Sequence, residues 1–201
     1  SLVGSEMCIR DRAMGSVPFG GRYRMIDFPL SNMVNSGINK VGVITKYNYQ
    51  SLMDHLGSGK AWDLSRKREG LFLLPPFGNV SSMQNSRVES LASIENFLKN
   101  SKEEFVVLSD CDTVCNIDYT DVLAYHLDKE ADVTIIYRYG SIPQGLSHPS
   151  VYTVDPEGRV RDMVISPNMD GACNYGMSML LIRRELLMPV SYTHLTLPTI
   201  L

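Results

Sequence analysis

The sequence predicts a three-layer α/β domain with a mainly parallel sheet, on three observations. Phe105-Val106-Val107-Leu108 is an unbroken apolar run, which suits a strand covered on both faces. Strand-length apolar runs alternate with stretches of helical spacing over most of the chain. A single hairpin signal, Asp155-Pro156-Glu157-Gly158, interrupts that alternation between the runs Val151 to Val154 and Arg159 to Ile165.

Taken in order, Gly20-Gly21 marks a turn, with Arg22 and Arg24 flanking Tyr23 just after it. Met25 to Ser36 reads as a helix with Asp27 near its start and Gly37 as its left-handed stop. Lys40 to Lys46 is a strand, and Asn48 to Leu56 a helix closed by Gly57. Gly57-Ser58-Gly59-Lys60 is not a phosphate loop, because Asp54 stands five before Gly59 and Ala61 replaces the required Ser/Thr. The basic run Arg66-Lys67-Arg68 offers an anionic ligand a contact, but so short a run reads first as a solvated loop. Leu71 to Leu74 is a strand. Ser86 with Glu89 forms a capping box for a helix running to Leu98. A helix follows from Asp118, its N-cap, to about Glu130, with His126 at packing spacing from Val122 and Leu123. Asp132 to Tyr139, the hairpin and Tyr175 to Ile182 supply further strands, and Arg183 to Leu187 starts a last helix.

The two ends read as translated sequencing adaptor. Met7-Cys8-Ile9-Arg10-Asp11 can be written ATG TGT ATA AGA GAC, whose reverse complement, GTC TCT TAT ACA CAT, encodes Val190-Ser191-Tyr192-Thr193-His194. Residues 1–12 and 190–201 are therefore set aside as non-native, leaving 13–189 as a partial domain, truncated at both ends.

Composition narrows the function classes. Of the residues, 44% are hydrophobic and 20% charged, and the net charge of -3 gives no support to a nucleic-acid partner. No apolar run approaches the ~20 residues of a membrane span. Cys111, Cys115 and Cys173 form no C-x-x-C pair, which argues for small packing thiols in a reducing, cytoplasmic setting.

Asp110 and Asp112 follow the apolar run directly, where open α/β sheets place ligands. Two carboxylates at i, i+2 suit a hard cation such as Mg²⁺ and, through it, phosphate oxygens. Three classes fit: a haloacid-dehalogenase-type phosphatase with Asp110 as nucleophile, a metal-dependent glycosyltransferase, and a sugar nucleotidyltransferase. The first would also need a later Ser/Thr, a Lys and an acidic pair, and Asp155, Asp162 and Asp170 are isolated from one another.

From Val17 to Asp63, VPFGGRYRMIDFPLSNMVNSGINKVGVITKYNYQSLMDHLGSGKAWD closely resembles glucose-1-phosphate adenylyltransferase, and the likeness continues through FVVLSDCDTVCNIDY and ADVTIIY. The resemblance implies a Rossmann-like nucleotidyltransferase domain, normally followed by a left-handed β-helix domain that is absent here. It implies ATP and glucose 1-phosphate as substrates, glycogen biosynthesis as the setting and Mg²⁺ as cofactor. Asp112 falls at the family's metal-binding and catalytic Asp, with Cys111 and Thr113 beside it. Ser166 and Asn174 fall at substrate-binding positions, in substituted form, and Arg22 and Arg24 are candidates for a phosphate or effector.

The departures from the family pattern concern cations. The Gly-rich first loop would lie before Ala13, Met14 stands where the resemblance implies a phosphate-binding Lys, and Ser166 stands where a Lys would grip the sugar phosphate. Ser86-Arg87-Val88-Glu89-Ser90 replaces Gly-Thr-Ala-Asp-Ala. The expectation is a regulatory, catalytically weak subunit, paired with a catalytic paralogue in a hetero-tetramer. The alternatives are an active sugar-phosphate nucleotidyltransferase and, behind it, the D-x-D phosphatase.

Overall fold

The structure, a computed structural model, describes residues 14–45, 49–66, 69–74, 95–143, 146, 149–165, 167 and 171–187. Gly20 and Gly21, with φ of 59° and 76°, turn the short hairpin of β1 (Pro18–Phe19) and β2 (Tyr23–Arg24). Helix α1 (Asp27–Asn35) accommodates Pro29 in its first turn, where an N–H has no helical acceptor anyway. Gly37, at φ 78°, ends it by donating its N–H to Val34 O at 2.9 Å.

Strand β3 (Lys40–Ile44) runs parallel to β4 (Gly70–Leu74), in register from Lys40 opposite Gly70 to Ile44 opposite Leu74. The crossover between them carries α2 (Gln50–Leu56) and a 3₁₀ turn, Lys60–Trp62. Helix α3 (Glu95–Lys99) leads into β5 (Phe105–Ser109), and α4 (Tyr119–Asp128) joins β5 to β6 (Val133–Ser141). The hairpin of β7 (Ser150–Val154) and β8 (Val160–Ile165) follows, then β9 (Ala172–Arg183).

Strand direction differs in part from the expectation of a mainly parallel sheet. Among the described residues only β3 and β4 pair in parallel, and the larger sheet is antiparallel. The cause is β9, which runs antiparallel both to β5, from Phe105 opposite Arg183 to Ser109 opposite Met179, and to β6. Strands β5 and β6 therefore point the same way, as a strand–helix–strand unit should, with a later strand inserted between them.

The three layers follow from side-chain alternation. Val41 and Val43 face Leu30, Leu52 and Leu56 of α1 and α2. On the opposite face Val106 and Leu108 pack with Leu98, Leu180 and Ile182, and Leu187 from the helical turn at 184–187 closes that cluster. Helix α4 lies on the α1 side: Tyr119 N donates to Ser36 Oγ at 2.9 Å, and Asn32 Nδ2 donates to Cys115 O at 2.9 Å. Asp118 caps α4 as expected, accepting from Thr120 N at 2.8 Å and Thr120 Oγ1 at 2.7 Å. The expected capping box of Ser86 and Glu89 lies outside the described residues.

Candidate functional site at the end of β5

Strand β5 ends where Asp110 N donates to Ser178 O at 3.1 Å, which anchors the following turn to β9. Asp110 and Asp112 are exposed there, and Thr113 Oγ1 donates to Asp112 Oδ1 at 3.2 Å. Between them Cys111 points inward. Burial, and after it the charges of Asp110 and Asp112, push its thiol up to about 11, so it is a packing thiol rather than a nucleophile. Burial likewise raises Cys115.

The turn Met14–Ser16 abuts this edge. Ile26 N donates to Gly15 O at 3.1 Å, and a Cβ added at Gly15 would lie 3.4 Å from Cys111 Sγ and 3.5 Å from Leu52 Cδ1. Gly15 thus lets the turn seat against β5 and α2 together, while Met14 remains exposed. The side chain at the position where a Lys was expected is a thioether, which brings no positive charge.

Asn174 is half-buried on β9, donating weakly to Tyr152 O at 3.4 Å. Because β5 stops opposite Met179, residues 172–176 of β9 continue beyond its end. Ser166 lies outside the described residues. Arg24 is tied into the fold: its Nη1 donates to Ser51 O at 2.6 Å and Ser51 Oγ at 3.0 Å, and its N–H donates to Asp27 Oδ2 at 2.9 Å. Arg22 is exposed on the β1–β2 hairpin. The structure therefore brings Asp110, Asp112 and the Met14 turn to one sheet edge, and it holds Arg24 against Ser51 of α2 and Asp27.

His126 is a packing residue, as its spacing predicted. It is buried, its Nδ1 lies 2.8 Å from Thr134 Oγ1, and its ring meets Phe105 edge-on at 5.3 Å. Burial, assisted by the charge of Arg183, lowers its pKa. A contact that the sequence did not single out is the pair Asp27 and His55, 2.6 Å apart, with Trp62 edge-on to the imidazole. The two residues are 28 apart in sequence, and only the packing of α1 on α2 joins them.

The Mg²⁺ expectation is compatible with the donors present. Among the described residues no group of three or more His, Cys, Asp or Glu is placed to hold a metal ion. Mg²⁺ does not require one: it is commonly held by one or two carboxylates, with waters and substrate phosphates completing the shell. Asp110 and Asp112 are hard, water-accessible oxygen donors of that kind.

Comparison with known proteins agrees with this architecture. The family model described as "Nucleotidyl transferase" matches residues 10–174. The chain is 48% identical over 138 residues to the glycogen biosynthesis protein GlgD of Geobacillus stearothermophilus, covering 67% of this chain and 40% of that protein. It is 43% identical over 130 residues to the GlgD protein of Bacillus subtilis, covering 64% and 38%. It is 40% identical over 157 residues to a glucose-1-phosphate adenylyltransferase of a Thermotoga species, covering 77% and 37%. The chain thus spans about two fifths of the length of these relatives. A crystal structure described as a glucose-1-phosphate thymidylyltransferase of Bacillus anthracis, in complex with a sucrose, shares the fold. Its TM-score is 0.68 at 13% identity, covering 90% of this chain and 66% of that one. Among the described residues no helix is long and apolar enough to cross a membrane.

Proposed function

Because this chain belongs to the nucleotidyl transferase family, we propose that it is part of a regulatory, catalytically weak subunit of glucose-1-phosphate adenylyltransferase. In this reading the whole protein acts in the cytoplasm, in glycogen biosynthesis, and assembles with a catalytic paralogue as a hetero-tetramer. Residues 13–189 are its native part, and ATP and glucose 1-phosphate are the ligands of the paired enzyme.

One observation carries the reading: the exposed carboxylates at the end of β5 are flanked by a turn whose only long side chain is Met14. Nucleotidyl transfer concentrates negative charge, and most of its catalysis consists of preorganised cations and hydrogen-bond donors that stabilise it. Asp112, with Asp110 beside it, would hold Mg²⁺, which when bound neutralises phosphate charge. Asp110 N donates to Ser178 O, and Arg24 Nη1 donates to Ser51 O and Oγ, which holds that guanidinium against α2. The chain keeps a metal-holding edge while the neighbouring turn lacks a positive group. High similarity to proteins named for glycogen biosynthesis supports the setting.

The test is to purify the full-length protein and its catalytic paralogue and to follow pyrophosphate release from ATP and glucose 1-phosphate. We expect negligible release by this protein alone, and altered kinetics of the paralogue when the two are mixed. Ordinary turnover by this protein alone would instead identify it as an active sugar-phosphate nucleotidyltransferase.

A further inference from the structure

Helix α4 reaches the sheet through two buried side chains, Tyr119 at its start and His126 in its last turn. The start is held several times over: Asp118 caps it, Tyr119 N donates to Ser36 Oγ, and Tyr119 OH donates to Met179 Sδ at 3.5 Å. The carboxyl-terminal half rests on His126, because Tyr125 and Leu127 beside it are exposed. His126 is 0% exposed, with Nδ1 2.8 Å from Thr134 Oγ1 on β6. Its Nε2 is also enclosed and has no hydrogen-bond partner among the described residues. Phe105 of β5 meets the imidazole edge-on at 5.3 Å, and the guanidinium of Arg183, from β9, lies 5.2 Å from the centroid of the same phenyl ring. Arg183 Nη1 donates to Glu104 Oε1 at 2.6 Å. The remaining charged groups around this end of the helix, Asp128, Lys129, Glu130 and Asp132, are all exposed.

These surroundings suit a neutral imidazole and not an imidazolium. A neutral ring carries one N–H and one lone pair, and the Thr134 hydroxyl can serve Nδ1 in either role. A protonated ring carries an N–H on both nitrogens. Thr134 Oγ1 can accept from Nδ1, but Nε2–H has nothing to donate to, and a buried charge with an unmet donor is costly. Arg183 opposes a second cation beside Phe105, and Asp132, in water, offsets only part of that. Burial and then Arg183 accordingly hold the imidazole below its ordinary 6.5.

We propose that His126 is a proton-operated catch: neutral, it holds the carboxyl-terminal half of α4 against β5 and β6, and in mild acid it takes up a proton from solvent and lets that half lift until Nε2–H reaches water. The chain runs from the Asp110–Asp112 edge straight into α4, so acid loosens one support of that edge. The catch belongs to the helix–sheet contact and stands whether or not the edge is catalytic. Its sign is fixed by linkage. A histidine whose pKa is lowered by folding contributes stability that is complete above about pH 6.5 and is lost as pH falls below it. Asp118 and Asp155, both held below 3.8, stay ionised down to pH 5, so their own losses fall outside the interval from pH 7 to 5. His55 is the other described histidine, and there Asp27, 2.6 Å away, gives an added proton a partner.

The test follows amide hydrogen exchange of the 201-residue chain at pH 7 and pH 5, corrected for the intrinsic pH dependence of exchange. One proton linked to opening changes the open population by up to about tenfold per pH unit. Residues 123–129 are therefore expected to exchange at least about tenfold faster at pH 5, while 27–35 and 40–44 change by less than about twofold. His126→Phe keeps a ring in place that cannot titrate, and in that variant α4 should exchange equally at both pH values. The imidazole of the unmodified chain gives a second reading that needs no variant: its Cε1–H resonance should keep its neutral position until α4 loses protection, and the two should then change together. Equal exchange of 123–129 at the two pH values, the same acid acceleration in His126→Phe, acceleration spread evenly over 27–35 and 40–44, or an imidazole that titrates near 6.5 while α4 stays protected would each overturn the proposal.

Discussion

Asp27 Oδ1 lies 2.6 Å from His55 Nε2, and Asp27 Oδ2 accepts from Arg24 N at 2.9 Å, so one largely buried carboxylate ties β2, α1 and α2 together. The Met14 turn rests on the same assembly through Ile26 N and Leu52. Asp27→Ala strands the imidazole and the Arg24 N–H at once. We expect a loss of about 1–3 kcal/mol in urea unfolding, with His55→Ala non-additive by at least about 0.5 kcal/mol in the double mutant. Additive losses would show that the pair is incidental.

Cys111 supplies a chemical test of the β5 terminus. Its thiol is raised from 9.0 to about 11, so at pH 8 it carries about one hundredth of the thiolate of an unshifted cysteine. Alkylation by iodoacetamide followed by peptide mapping should modify Cys111 about a hundredfold more slowly in the folded chain than in urea. The sign for stability follows. A pKa raised by folding contributes stability that is whole below about pH 9 and is lost as pH climbs toward 11. Cys111→Ala should remove that alkaline loss.

Asp118 works in the opposite direction. Bonds from the Thr120 hydroxyl and amide lower its pKa in the folded chain, so its contribution is present above the unfolded carboxylate pKa and disappears as pH falls through the folded one. Asp118→Ala should lower Tm at pH 7 and flatten the acid limb of the stability profile, whereas Asp118→Ser should retain most of the cap. Equal Tm for the Ala variant and the parent at pH 7 would remove the cap from the account of α4.

Two glycines in strands should respond differently to the same change. At Gly42 a Cβ would sit 2.9 Å from Leu74 Cδ1 and 3.0 Å from Phe97 Cε1, so Gly42→Ala makes those side-chain ends move and should cost on the order of 1 kcal/mol. At Gly140 the nearest atom, Tyr175 Cε1, is 3.8 Å away, and Gly140→Ala should stay within about 0.5 kcal/mol of the parent. Chemical denaturation of both variants checks the contrast.

For the function, Met14→Lys in the full-length protein should raise pyrophosphate release above the parent by about tenfold or more, since one preorganised charge contact is commonly worth that much. Asp112→Asn in the same background should abolish the gain and weaken Mg²⁺-dependent nucleotide binding. A Met14→Lys protein no faster than the parent would place the deficiency elsewhere.

Much of this molecule could be read from its residues, and the exceptions have a common cause. Local signals were reliable: the φ-positive Gly37 that stops α1, the Asp118 cap, the Asp155 to Gly158 hairpin turn and the apolar run of β5 all concern residues within a few positions of one another. The Asp110–Asp112 edge was legible for the same reason, because a strand followed at once by carboxylates is a local pattern. What escaped is long-range. The antiparallel insertion of β9 between β5 and β6 depends on which strand finds which edge, and an apolar run such as that of β5 speaks for covered faces without naming the strand that will lie beside it. The union of Asp27 with His55 and the seating of Gly15 against Cys111 are products of helix packing, for which periodicity gives a face but no partner.

The placement of β9 bears on the order in which the molecule can be made. Strands β5 and β6 share it as their common neighbour, yet it occupies residues 172–183. On the ribosome, Phe105 and Val133 emerge well before their partners Arg183 and Ile182 exist, so the nascent chain must hold two apolar strands open across roughly 50 to 80 further additions of amino acid, several seconds of synthesis at typical rates. Assembly of the large sheet is therefore a late, non-local event, and the interval before it is when a chaperone has the most to shield.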